Sequence, residues 1–170
     1  MRIACISGSF REKSFNSALL RAARACAPKT VEFVDVDFRT VPLFNRDVET
    51  AGFPDAVLSA AEVIRKADGV LIATPEYNRS IPGVLKNFID WMSRSATEDI
   101  WVEKPAAIIG ASTGQLGTAV AQYDLKRVLA HLGARVMGSP EFFLNKAALL
   151  HNSVLFLSHI LSSNLEVCGF

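Results

Sequence analysis

Within eight residues, the segment Ser9-Phe10-Arg11-Glu12-Lys13-Ser14-Phe15-Asn16 gathers two serine hydroxyls, a side-chain amide and a guanidinium. That set suits a phosphate dianion, which needs hydrogen-bond donors beside a positive charge that cannot be lost. A second segment, Thr74-Pro75-Glu76-Tyr77-Asn78, suits a flat polar ring. A backbone turn there can aim N–H and C=O groups at a ring edge, and Tyr77 adds an aromatic face. A third, Gly110-Ala111-Ser112-Thr113-Gly114-Gln115-Leu116-Gly117, is rich in small residues that let a ligand approach the backbone. Each segment also has an ordinary use. Ser14 or Asn16 can cap a helix, Pro75–Asn78 can be a plain turn, and Ser112 or Thr113 can cap another helix. Their joint placement is what argues for a ligand.

That placement follows from the elements around them. Short apolar runs at about 2–7, 69–74 and 106–110 read as buried strands, and each of the three polar segments follows one. The run 31–36 alternates apolar and acidic residues and reads as an edge strand, and a short fifth strand is expected at 135–137. Helical periodicity marks 15–26, 55–67, a helix from Pro82 and another at about 116–132. The expected core residues are Val57, Leu58, Ala61 and Ile64, then Val84, Leu85, Phe88, Ile89 and Met92, then Val120, Leu125, Val128, Leu129 and Leu132. A long connection fills 37–53, and an apolar helix is expected to close the chain. Strands alternating with helices imply an α/β fold. The plan is a flavodoxin-like three-layer αβα sandwich with a five-stranded parallel sheet of order 2-1-3-4-5. In that topology FMN sits at the switch point beside strands one and three.

Composition narrows the function classes. Half of the 170 residues are hydrophobic and 21% are charged, so one globular domain over 1–170 is expected. A net charge of +1 without a basic run gives no footprint for nucleic acid. It also argues against an electron carrier of the flavodoxin kind, whose strong acidity steers it to basic partners. No membrane span is expected. Cys5, Cys26 and Cys168 form no C-x-x-C pair, which fits a reducing cytoplasm and argues against a zinc or disulfide framework. Cys5 reads as inert packing. His131, His151 and His159 have no metal-ligand spacing, so no metal site is expected. The G-x-G-x-x-G dinucleotide fingerprint and the phosphate-loop lysine are both absent.

The combination of motifs resembles the NAD(P)H-dependent FMN reductases, which include chromate and quinone reductases. The matching residues are Gly8-Ser9-x-Arg11-x-x-Ser14-x-Asn16, Thr74–Asn78, Pro82-Gly83-x-Leu85-Lys86-Asn87-x-Ile89-Asp90-Trp91, Ser112-Thr113-Gly114-x-x-Gly117 and Pro140-Glu141-Phe142. The resemblance implies that Ser9, Arg11, Ser14 and Asn16, flanked by Phe10 and Phe15, hold the FMN phosphate. It implies that Pro75, Glu76, Tyr77 and Asn78, with Ser112, Thr113 and Gly114, hold the isoalloxazine ring. NADPH or NADH would reduce the flavin. A quinone, free flavin, azo compound or chromate would reoxidise it in ping-pong turnover, with no catalytic side chain. The other readings are a flavodoxin-like electron carrier and a non-catalytic FMN-binding protein.

The resemblance further implies a homodimer or homotetramer. Lys86, Asn87, Asp90 and Trp91, off the core-facing stripe, are expected at that subunit interface, with a solvated Lys86–Asp90 pair as the bland reading. A 2′-phosphate on the nicotinamide cofactor would need a basic residue nearby; Arg79, following Asn78, is the candidate, with a solvated side chain as the equal alternative. The tail 149–170 departs from the family: it is apolar all round with a single carboxylate side chain, Glu166. It is expected to pack at a subunit interface or to derive from an altered reading frame.

Overall fold

The computed structural model describes residues 1–97 and 99–150. The expected closing helix, His151, His159 and Cys168 lie outside the described residues. The strands are β1 (Arg2–Ser7), β2 (Glu32–Asp35), β3 (Gly69–Ala73), β4 (Pro105–Ala111), β5 (Arg135–Val136) and β6 (Phe142–Leu144). They form a parallel sheet of order β2-β1-β3-β4-β5, the flavodoxin-like plan. β6 was not expected. It pairs with β4 at Ile109–Ala111, while β5 pairs at Pro105–Ala106. Since β3 occupies the other edge of β4, β5 and β6 are two pieces of one interrupted edge strand.

The helices are α1 (Phe15–Cys26), α2 (Arg46–Ala51), α3 (Asp55–Arg65), α4 (Gly83–Trp91) and α5 (Ala119–His131). α5 starts later than the expected 116 because 112–118 is spent on a loop. Val57, Ala61 and Ile64 are buried as their spacing requires. Leu58 and Val84 are exposed instead, each one step off its helix's buried stripe. Val120, Val128 and Leu132 are only half-buried. β2 has exposed Glu32 and Asp35 around half-buried Phe33 and Val34, as an edge strand should. Cys5 is buried in β1, and desolvation pushes its thiol above the ordinary 9.0 against the opposing pull of the Arg24 guanidinium.

The face of α4 assigned to a subunit interface is used inside the chain. Trp91 is 0% exposed, so it is core and not surface. Its indole Nε1 donates to the Pro42 carbonyl at 2.9 Å, and its ring meets Phe44 and Phe53 edge-on. Asn87 donates to the same Pro42 carbonyl at 2.9 Å and accepts from the Phe44 N–H at 2.7 Å. The two side chains therefore pin the 37–53 connection, whose own helix α2 is tied down by Arg94 Nε to Glu49 Oε1 at 3.1 Å. Sequence periodicity missed this because the connection carries no regular pattern to mark a partner. Lys86 and Asp90 pair at 2.7 Å on the exposed side, the bland alternative.

Two outcomes follow from the core. Trp91→Ala is expected to lower unfolding free energy by about 3–5 kcal/mol, read by urea denaturation. The buried neutral Cys5 thiol contributes stability that is intact below about pH 9. That contribution is lost as pH rises through the raised folded value, because only the unfolded thiol ionises easily. The stability gap between the wild type and Cys5→Ala should therefore narrow on going from neutral to strongly alkaline buffer.

Candidate functional site

The C-terminal ends of β1, β3 and β4 lie side by side, and the three polar segments emerge there. Gly8 donates its N–H to Ala73 O at 2.8 Å. A Cβ on Gly8 would stand 3.2 Å from Pro75 Cδ and 3.1 Å from Leu85 Cδ2, so its bareness lets the first loop lie on the second.

Ser14 is the N-cap of α1, its Oγ accepting from Ser17 N at 3.3 Å. Arg11 Nη2 donates to Lys13 O at 2.7 Å, and its guanidinium lies 5.2 Å from the centre of the Phe15 ring. The charge is thus held at the first turn of α1, where the helix dipole already favours an anion. Ser9, Arg11, Ser14, Phe15 and Asn16 line a cavity of about 150 Å³, closed by Pro75, Glu76, Tyr77 and Ala111–Thr113. Phe10 does not line it; its ring packs 4.9 Å from Phe38. Asn16 lines the cavity, but both ends of its amide are taken. Nδ2 donates to Ala111 O at 3.0 Å, and Oδ1 accepts from Ala111 N at 2.9 Å.

After β3 the chain makes a tight hairpin. Tyr77 and Ser80 exchange both backbone bonds, at 3.2 and 3.1 Å. Asn78 and Arg79 occupy the turn with φ of 50° and 63°. Both signs are those of a type I′ turn, which favours Asn first and Gly second. Arg79 in the left-handed region costs about 1 kcal/mol. Two side chains fasten the hairpin to α5. Glu76 Oε2 accepts from the N–H groups of Val120 and Ala121 at 3.0 and 3.1 Å. Ser80 Oγ donates to Asp124 Oδ2 at 2.7 Å. Glu76, only 8% exposed, is therefore the side-chain cap that α5 lacks at its own N-cap, Thr118. Its role was invisible locally because donor and acceptor stand 44 residues apart.

Gly110 is not open to a ligand either. A Cβ there would fall 2.0 Å from Thr118 Oγ1 and 2.5 Å from Thr74 O, so the glycine admits Thr118. The openness lies further on, at Gly114, where a Cβ would meet only Ser112 Oγ at 3.4 Å. The end of β6 and the segment after it brace this loop: Ser112 N donates to Leu144 O at 2.9 Å and Ala147 N to Ser112 O at 3.0 Å. A larger cavity of about 470 Å³ lies between loop and hairpin, lined by Glu76, Asn78, Arg79, Ser112 and Gly114–Gly117. The two cavities share Glu76 and Ser112. One end offers donors and a cation, and the other a roomier slot beside the open Gly114. Their joint size suits a mononucleotide with a fused ring.

This geometry coincides with what the sequence resembles at large. Residues 1–149 match the family described as NADPH-dependent FMN reductase. The chain belongs to that family. A 2-hydroxy-1,4-benzoquinone reductase of a Burkholderia species is 44% identical over 85% of this chain and 78% of its own length. A quinone reductase of Escherichia coli K12 is 42% identical over 84% and 76%. The solved structure of FerB, a flavoenzyme NAD(P)H:(acceptor) oxidoreductase from Paracoccus denitrificans, superposes with a TM-score of 0.80. It is 33% identical and covers 96% of this chain and 98% of its own. As a member of the FMN reductase family the protein is an oxidoreductase that uses FMN and NAD(P)H. The residues present fit the cofactor: a cation and α1's first turn for a phosphate, and a bare slot beside Gly114 for a ring.

Among the described residues no cluster of His, Cys, Asp and Glu could hold a metal ion, and no helix is long and apolar enough to cross a membrane. His131 is exposed. Removing the Glu76 cap by Glu76→Ala is expected to cost about 1–2 kcal/mol. Hydrogen exchange should then quicken first at the amides of Val120 and Ala121; unchanged protection there would show that the cap carries no weight.

Proposed function

We propose that the protein is a quinone reductase that draws electrons from NAD(P)H through FMN held in the shared cleft. The observation that carries this is the meeting of the two cavities at Glu76 and Ser112, with a cationic end and an open end. When bound, FMN supplies the two-electron chemistry between a nicotinamide and an acceptor. Ser9, Ser14 and Arg11 hold the phosphate. The backbone of the Tyr77–Ser80 hairpin and the Ser112–Gly114 loop hold the ring. Tyr77, 55% exposed at the mouth, offers a stacking surface to whatever enters.

A quinone as acceptor is supported by the names of the relatives, one acting on 2-hydroxy-1,4-benzoquinone. Free flavin, azo compounds and chromate fit the same open cleft as further acceptors. Nicotinamide and quinone would take turns in the one open cleft, which would make turnover ping-pong and call for no acid or base side chain. We place the enzyme in the cytoplasm, as a homodimer or homotetramer and as one domain over 1–170.

Steady-state assays of the FMN-loaded protein with NADPH or NADH and 1,4-benzoquinone should give parallel double-reciprocal lines. No turnover with FMN bound would overturn the reductase assignment in favour of a carrier or binding protein. Arg11→Ala is expected to weaken FMN binding by about 10–100-fold with the fold intact, because a bond to a charged group is lost. Unchanged affinity by fluorescence titration would count against its phosphate role.

A further inference from the structure

We propose that Asn16 is a positioning residue that couples the two halves of the cleft through Ala111, and is not a ligand of the phosphate. This rests on the assignment of the cleft to FMN. Asn16 is 3% exposed and spends its amide in two hydrogen bonds with the backbone of one residue, 95 positions away.

The reason for that pairing lies in the sheet. β3 and β4 run in register to Ala73 and Ile109, and Thr74 N donates to Ile109 O at 3.0 Å. There β3 ends, while β4 continues to Ala111. In a parallel ladder, alternate residues face the same neighbour, so Ala111 points its N–H and C=O where β3 has run out. Both groups would be buried without partners. The Asn16 amide, one donor and one acceptor side by side, stands in for the missing strand residue. Asp would place a second acceptor against the Ala111 carbonyl, and Leu would offer neither group.

The position of the clasp gives it a consequence for binding. Asn16 is the second residue of α1, next to Ser14 and the Arg11–Phe15 contact. Ala111 immediately precedes the Ser112–Gly114 loop, which among the described residues is also anchored by the end of β6 and the segment after it. The clasp is thus a direct side-chain tie between the phosphate end and the ring loop. Loosening it shifts both ends together, whereas losing a phosphate ligand touches one end only.

Riboflavin, which lacks the phosphate, separates the two cases. Fluorescence titrations with FMN and riboflavin should be run on the wild type, Asn16→Asp, Asn16→Leu and Arg11→Ala, each at a temperature where circular dichroism shows it folded. Both Asn16 variants should weaken FMN and riboflavin by the same factor, about tenfold or more. Arg11→Ala should weaken FMN alone. Asn16 variants that weaken FMN but not riboflavin would make Asn16 a phosphate ligand. Variants that change neither affinity would leave the clasp a matter of stability only, and both results overturn the proposal. Should neither variant fold, inorganic phosphate added to the wild type is expected to slow hydrogen exchange at Ala111 N–H. Unaltered exchange there, with phosphate shown to bind, would sink the coupling. A wild type that binds no FMN at all would refute the cofactor assignment itself, a separate outcome.

Discussion

Parallel strands of unequal length leave backbone groups without partners where the shorter strand stops, and buried orphans of that kind are costly. This constraint shapes the whole C-terminal edge of the sheet. Ala111 outlasts β3 and takes its partners from Asn16. The first N–H groups of α5 take theirs from Glu76. Ser112 takes its partner from Leu144 on the unexpected β6. Satisfying these groups draws the loops after β1, β3, β4 and β6 into one cluster, and the candidate cleft is the space they leave.

The cleft therefore divides its labour. Residues that close the backbone ledger are buried and already bonded; residues that face the cavity are free to meet a ligand. Asn16 and Glu76 belong mainly to the first group, although they are as polar as any binding residue. Arg11, Ser9 and Asn78 belong to the second. Among the described residues the Arg11 guanidinium meets a carbonyl and a ring face, which leave its charge available at the mouth. Glu76 adds little negative field to the slot, since its carboxylate sits on the positive end of α5 with Arg79 3.6 Å away. An anionic cofactor and an electron-poor acceptor both fit that balance.

Distance from the site brings a second lesson. Asn87 and Trp91 lie in a motif shared with flavin reductases, and the sequence placed them on a surface face. In the fold they hold Pro42 and Phe44, so the long connection is a packed part of the α4 side of the sheet. Helical spacing shows which residues point away from a sheet; it does not show whether another segment of chain covers them. An irregular connection has no period from which such cover could be read.

Strand order, the three loops after β1, β3 and β4, and the use of FMN were all legible in the sequence. Apolar runs, helix periodicity and turn residues are local signals, and the topology turns them into a shared edge. Ser14 as a cap and the loop boundaries of α1 were local as well. What each polar residue does with its bonds was decided only by the tertiary structure. Asn16 meets Ala111 across 95 positions, Glu76 meets α5 across 44, and Gly110 yields its space to Thr118 and not to a ligand. A side chain's type states which bonds it can make, whereas its partner is set by the chain brought beside it.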